Sequence, residues 1–314
     1  MSIAQRLADS ALINPGSDRV RSVAGLARRS ARSRAGRFLA EGPQCVREAL
    51  RAHLGEFDAL VPAPRDGVID AVYVTERALQ RHPDIDQLVA RVLQAEGSPR
   101  VFVRLVSDEV LAAMSDAEHP QGVLAVCRIP ELTWAQVVER RPRLVAVMCR
   151  VQDPGNAGTV LRAADAAGAD AVVLTAGSVD LHNPKAVRST AGSLFHLPVL
   201  TGLDPAELVG RPVSDAAGGE LQVLAADGYG ALDLDELQDA SAAGREAAVE
   251  LARPTAWLFG NEAQGLSEQE KALASHRVAV PLHGAAESLN VGTAATLCLY
   301  ASARAQRRRG GGDA

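Results

Sequence analysis

The spacing of apolar residues along the chain changes period several times. In "SDRVRSVAGLARRSARSR", Val20, Val23, Leu26 and Ala27 recur at helical spacing with arginines on the opposite face, which predicts one amphipathic helix. "RFLAEG" is a short apolar run, and "PQCVREALRAHL" resumes the helical period. "LVPAPRDGV" reads as a Pro/Gly loop. "IDAVYVT" predicts a strand, "ERALQRHPDIDQLVARVLQAE" a helix, and "RVFVRLVS" and "GVLAVCRI" two further strands. "PELTWAQVVERRPR" carries charges and two prolines and predicts a linker helix over 131–142. Beyond it, "LVAVMC" is apolar on both faces, the pattern of a central parallel strand. "AVVL", "LQVLAAD", "TAWLFG" and "RVAVPL" continue the alternation of strands with helical stretches. "SEQE" predicts a capping box with Ser267 as cap and Glu270 as its partner. The last helix is predicted from about Ser288 to Arg307. The pattern gives an α/β fold in two domains, 1–130 and 143–309, with a disordered tail at 310–314.

Composition changes this picture in two places. Residues 1–53 carry ten arginines against four acidic residues, although the 314-residue chain has a net charge of -5. Such a segment is either a footprint for a polyanion or a solvated helix face in a chain that favours arginine, since only Lys185 and Lys271 are lysines. Cys45, Cys127, Cys149 and Cys298 lie far apart with no metal-ligand spacing, so they read as small core residues in a reducing compartment and no metal is expected. "MSIAQRLADS" has no apolar signal core, and no run is long enough to span a bilayer. A cytoplasmic protein without a membrane partner is expected.

Three glycine-bearing loops each follow a strand in the second domain. In "VQDPGNAGTVLRAADAAGADAVVL", Gly155, Asn156 and Gly158 precede a helix that carries Arg162. The spacing fails the dinucleotide fingerprint, and no Lys-Ser/Thr follows as a P-loop requires. In "LFGNEAQGLS", Gly260 permits close backbone approach, and Asn261 and Glu262 sit at the carboxyl end of a strand, where α/β folds bind ligands. An ordinary turn into a capped helix is the alternative. In "VPLHGAAESLNVGTAATLCLY", Ser288 and Asn290 stand at a helix start, where both also serve as caps.

Together these three stretches, over roughly 143–305, resemble the motifs of the SpoU (TrmH-like) RNA ribose methyltransferases of the SPOUT superfamily. "HNPKAVRSTAGSLFHLPV" resembles the segment after the first motif. "FLAEGPQCVREAL" and "HPQGVLAV" resemble a small ribosomal-protein-like RNA-binding domain. Gly292 departs from the serine usual in the third motif. The resemblance implies a parallel sheet with a deep trefoil knot and a homodimer built through the C-terminal domain. It implies S-adenosylmethionine held near Leu258, Gly260, Asn261, Val280, Leu282 and Leu289. It makes Arg162 the catalytic arginine, with Asn156, Glu262, Ser288 and Asn290 orienting it, the ribose and the loops. A guanidinium is a poor base, so Arg162 is expected to hold an RNA phosphate and stabilise a developing alkoxide. Arg28, Arg29, Arg32, Arg34 and Arg188 are the candidate RNA contacts.

The implied reaction is methyl transfer to a ribose 2'-hydroxyl, with ribosomal RNA of the large subunit as the favoured substrate. A tRNA methyltransferase and a non-catalytic RNA-binding assembly factor with the same fold remain alternatives. A resistance enzyme would share the chemistry and differ only in target. A dehydrogenase-like reading lacks its glycine spacing.

Overall fold

The computed structural model describes residues 3–57, 67–95, 99–208 and 220–310. Most of the Pro/Gly loop read at 60–68 and residues 311–314 of the tail lie outside these. The chain divides into two compact units, Met1–Glu131 with Asp180–His196, and Leu132–Val179 with Leu197–Ala314.

The first unit is built on a four-stranded sheet of β1 (Arg37–Glu41), β2 (Ile69–Val74), β3 (Phe102–Leu105) and β4 (Val123–Arg128), in the order β1-β4-β2-β3. β4 pairs antiparallel with both β1 and β2, and β3 runs parallel to β2. One sheet face buries Leu39, Ala71, Tyr73, Leu124 and Val126 against Val20, Val23, Leu26, Val110 and Met114. The arginine-rich helix predicted at the N-terminus is two helices, Asp18–Gly25 and Arg29–Ala35. Ser17 caps the first by accepting from Val20 N. Arg28 has extended backbone as the N-cap of the second, so one helical period does not run through both. "ERALQRHPDIDQLVARVLQAE" likewise divides into Glu76–Arg81 and Pro83–Gln94. Pro83 offers no amide to the preceding turn and pushes His82 out of helical conformation.

Residues Asp180–His196 belong to this first unit, although the sequence reading placed them with the methyltransferase motifs. The side chains explain the assignment. Phe38 makes ring contacts with His182 and Phe195. Arg32 bonds Asp180, and Arg188 bonds Glu41. Burial, the first cause, together with the Arg32 charge holds His182 down at about 4 against the pull of Asp180, so it is neutral at physiological pH.

The second unit is a seven-stranded sheet of β5 (Leu144–Met148), β6 (Ala171–Thr175), β7 (Val199–Leu203), β8 (Gln222–Ala226), β9 (Leu232–Asp233), β10 (Thr255–Phe259) and β11 (His276–Ala279). The order is β7-β6-β5-β10-β8-β11-β9, and every pairing is parallel. β5, β6 and β10 are buried along their whole length, as their continuous apolar runs require. β7 and β9 had no clear strand pattern. The helix predicted as a linker, Trp134–Val138, instead joins this unit, because Trp134 and Val137 sit in its core with Val145, Val147 and Ala256. The final helix runs Val291–Gly310 and packs on Pro154–Ala167 as well as on β5 and β10. It begins later than predicted, since Ser288 and Asn290 are not helical. All four cysteines are free and buried, and burial pushes the Cys149 and Cys298 thiols up to about 12.

Candidate active site

The carboxyl ends of parallel strands leave main-chain groups and loops exposed at one edge of a sheet, and ligands in such folds bind there. At this edge β5 and β10 are neighbours, with Met148 opposite Phe259. The first loop follows β5. Its Asp153 caps the helix Pro154–Ala167 by accepting from Asn156 N at 2.8 Å, and Pro154 sits at the first helical position, where a missing N–H costs nothing. The cap fixes Asn156 at the helix entrance with its carboxamide pointing away from the helix hydrogen bonds.

The second loop follows β10 and closes on itself. Asn261 N donates to Gly265 O at 3.2 Å and Gly265 N returns to Asn261 O at 2.8 Å. A Cβ on Gly260 would lie 2.3 Å from the Gly265 carbonyl carbon, so only glycine permits this closure. The Asn261 side chain accepts from Ala263 N and Gln264 N and donates to Arg150 O at 2.9 Å. Three hydrogen bonds thus commit the Asn261 carboxamide to shaping the loop. The Leu258 side chain lies wholly in the sheet core, so only its main chain is placed to meet a ligand at this edge.

Three of the predicted residues, one from each motif, form a single chain of hydrogen bonds. Asn290 Nδ2 donates to Asn156 Oδ1 at 2.9 Å, and Asn156 Nδ2 donates to Glu262 Oε1 at 3.0 Å. Glu262 also accepts from the amides of Gln152 and Asp153, and Asn290 Oδ1 accepts from Gly292 N. Burial raises the Glu262 pKa, but the Asn156 donor and the nearby amides outweigh it and hold the carboxylate below its ordinary value. Glu262 is therefore an ionised acceptor at neutral pH rather than a proton donor.

Arg162 lies six residues beyond Asn156 on the same helix and is exposed. Among the described residues, no hydrogen bond or ion pair engages its guanidinium, which leaves all five N–H donors free for a ligand. Ser288 is exposed and is not brought into the Asn156 network. Val280 and Leu289 are half-buried and Leu282 is exposed. Among the described residues, the main chain of 281–289 makes no backbone–backbone hydrogen bond. Apolar side chains beside open main-chain donors and acceptors are suited to an adenosyl group, which has a flat apolar face and a polar rim.

Gly292 has a structural reason. A Cβ there would meet Thr159 Cγ2 at 2.6 Å, so the serine usual at this position would collide with the helix that carries Arg162.

Arg150 was missed by the sequence reading. It adopts φ 57°, rare for a side-chain-bearing residue. Its Nε and Nη2 donate to the two oxygens of Glu270 at 2.9 and 2.7 Å, and Nη2 also reaches Gly265 O at 3.2 Å. Glu270 is the predicted capping-box partner of Ser267, with both reciprocal bonds present. One carboxylate thus caps a helix and anchors the arginine that holds the second loop. The cap was legible in "SEQE"; the arginine 120 residues earlier carried no local signal.

Of the candidate RNA contacts, Arg28, Arg29 and Arg34 are exposed. Arg32 is a correction: it is only 2% exposed and donates to Asp180, Leu26 O and Ala27 O. Arg188 is bonded to Glu41 and Asp116. Both serve the first unit's own structure.

A parallel α/β sheet with three converging loops at its carboxyl edge defines a ligand-binding enzyme class, and solved structures narrow it. The structure of AviRb from Streptomyces viridochromogenes, solved with AdoMet, matches with a TM-score of 0.71 at 28% identity, covering 93% of this chain and 98% of that one. A structure described as an RNA 2'-O ribose methyltransferase matches with a TM-score of 0.68 at 29% identity, covering 95% and 99%. Residues 143–300 match the SpoU rRNA Methylase family, and residues 17–125 match the MRM3-like substrate binding domain. The chain belongs to the SpoU rRNA methylase family. The 23S rRNA (guanosine(2553)-2'-O)-methyltransferase RlmP of Bacillus subtilis (strain 168) is 30% identical over 86% of this chain and 89% of its own length. The 23S rRNA (uridine(2479)-2'-O)-methyltransferase of Streptomyces viridochromogenes is 32% identical over 65% and 70%.

Proposed function

We propose that this protein transfers a methyl group from S-adenosylmethionine to a ribose 2'-hydroxyl of large-subunit ribosomal RNA. The observation that carries the reading is the Asn290–Asn156–Glu262 chain, which ties the three family motifs together at the entrance of the helix that also carries Arg162, exposed and with no partner among the described residues. S-adenosylmethionine supplies a methyl group already activated on a sulfonium, so no metal is needed. Gly260, Val280, Leu282 and Leu289 border the place that would hold it.

The chain's own residues address the acceptor. A ribose hydroxyl is a weak nucleophile at neutral pH and must be positioned and lose a proton. Arg162, always charged, grips a phosphate of the RNA and stabilises negative charge as it develops on the 2'-oxygen. A phosphate oxygen or a water takes the proton, since Glu262 is occupied as an acceptor. Asn156 and Asn290, fixed in the relay, hold the first helix and the third loop in register around the ribose, and Ser288 lies free to bond it. The 2'-hydroxyl itself distinguishes RNA from DNA.

The first unit binds the RNA, with Arg28, Arg29 and Arg34 as phosphate contacts; its match to a substrate-binding domain supports this. The second unit is knotted and forms a homodimer. Support for the knot comes from the match of residues 143–300 to the SpoU rRNA Methylase family. Support for the dimer comes from Leu297 and Tyr300, exposed three residues apart on that last helix. The test is transfer of labelled methyl from S-adenosylmethionine to total ribosomal RNA and, separately, total tRNA, followed by mapping. One ribose-methylated nucleotide in large-subunit RNA is expected. Transfer to tRNA alone overturns the substrate, and transfer to neither overturns the activity.

A further inference from the structure

Tyr229 is 91% exposed, more than any other large hydrophobic side chain among the described residues. Single exposed apolar residues are ordinary on protein surfaces. The frame that holds this one is not. Tyr229 stands in "DGYG", directly after β8, and Asp227 organises the turn. Asp227 N donates to Val278 O at 3.0 Å, and its side chain accepts from Tyr229 N at 3.1 Å. Gly230 N closes the turn on Asp227 O at 2.8 Å. The Arg277 guanidinium donates to Asp227 Oδ2 at 2.8 Å and reaches Tyr229 O at 3.4 Å. A Cβ on Gly230 would stand 2.7 Å from Arg277 O, so the turn lies flat against β11. The backbone of Tyr229 is thus fixed from three sides while its ring points into solvent. Gly228 and Gly230 flank it and present no side chain to cover either ring face.

The place is as telling as the frame. β8 is hydrogen-bonded to β10, with Ala226 opposite Phe259. The Asp227–Gly230 turn and the Gly260–Gly265 loop therefore leave the same sheet edge from adjacent strands, about 5 Å apart at their roots. A rigidly mounted aromatic ring with two open faces, next to a site that accepts a ribose, matches the chemistry of an unpaired nucleobase.

We propose that Tyr229 is a stacking platform for an unpaired base of the RNA substrate, adjacent to the methylated nucleotide. This rests on the reading of the site as an RNA ribose methyltransferase. The ring has few rotamers to lose, and its backbone is already ordered, so stacking carries little entropic penalty. Stacking on one ring is tolerant of base identity, so Tyr229 contributes grip and register rather than sequence choice.

The test compares wild type with Tyr229→Ala, Tyr229→Phe and Tyr229→Trp. Affinity for large-subunit ribosomal RNA is measured by filter binding, S-adenosylmethionine affinity by calorimetry, and assembly by sedimentation. Because the ring is exposed, the thermal midpoint should not move. The alanine variant should bind RNA about tenfold more weakly, the effect of losing one base–ring stack, with unchanged cofactor affinity. The phenylalanine and tryptophan variants should bind like wild type. Wild-type RNA affinity in the alanine variant overturns the proposal. So does a phenylalanine variant as weak as alanine, which would assign the role to the hydroxyl. A changed sedimentation coefficient in the alanine variant also overturns it, in favour of a protein contact. If wild type itself binds neither RNA nor cofactor, the underlying functional reading fails instead.

Discussion

The Asn156 carboxamide donates to the Glu262 carboxylate at 3.0 Å across 106 residues of sequence. Asn290 completes the contact from a third segment, another 28 residues on. The relay has direction. Glu262 only accepts, so Asn156 must donate to it and accept from Asn290. Replacing Glu262 with glutamine removes the charge and allows the amide to flip. Methyl transfer should fall about tenfold or more. Asn156→Ala combined with Glu262→Gln should fall by less than the product of the single losses, because groups in one network couple. Full multiplicativity would mean that the two act independently.

The same carboxylate sets a pH expectation. Its pKa is lowered in the folded protein, so its contribution to the relay is complete above the unfolded carboxylate value and is lost only as pH falls through the lower folded value. No loss of relay function from Glu262 is expected between pH 5 and 8. A pH–rate profile with an acidic limb in that window that disappears in Glu262→Gln would contradict this.

Gly292→Ser tests why this chain departs from its family's usual residue. The new Cβ would press on Thr159, and overpacking of this kind costs roughly 1–3 kcal/mol. The denaturation midpoint should drop, and Thr159→Ala should restore part of it by removing the nearer atom. An unaffected midpoint would show that the helices part freely at this point.

Arg150→Lys keeps a cation but loses the two-pronged geometry that binds Glu270 and Gly265 together. Cofactor affinity should weaken several-fold while turnover at saturating cofactor changes less. Arg150→Ala leaves the Glu270 carboxylate, which lies largely out of water, with Ser267 as its remaining partner, and should destabilise the protein by roughly 1–3 kcal/mol. Equal loss of kcat and kcat/KM in the lysine variant would place Arg150 in the chemistry itself.

The arginines of the first unit separate by burial. Arg28→Ala, Arg29→Ala and Arg34→Ala should each reduce the salt dependence of RNA binding by somewhat less than one counterion, with little effect on stability. Asp180→Asn should do the reverse, destabilising the first unit by leaving Arg32 with a weaker partner and leaving the salt slope unchanged. A reduced slope in Asp180→Asn would return Arg32 to the RNA surface.

Much of this was legible in sequence because it is local. Apolar runs marked β5, β6 and β10, and "SEQE" marked a cap with both reciprocal bonds. The three motif loops were visible as glycine-bearing turns after strands. What sequence did not carry was partnership at a distance. Arg32 sits in an arginine-rich stretch like its neighbours, and only Asp180, 148 residues later, makes it structural. Arg188 is turned inward by Glu41. Trp134 looked like part of a linker because its charged neighbours hid a buried face. Tyr229 drew no notice because a lone aromatic in a glycine turn has no periodic signal.

In the proposed reaction Arg162 stabilises charge on the ribose oxygen while taking no part in cofactor binding. The measurement is single-turnover methyl transfer to large-subunit ribosomal RNA for wild type, Arg162→Lys and Arg162→Ala, beside their S-adenosylmethionine affinities. Cofactor affinity should be unchanged, the alanine variant should lose about a hundredfold or more in rate, and lysine should recover only part of it, since its ammonium lacks the fork. A wild-type rate in either variant, or a rate loss explained wholly by lost cofactor affinity, would contradict it.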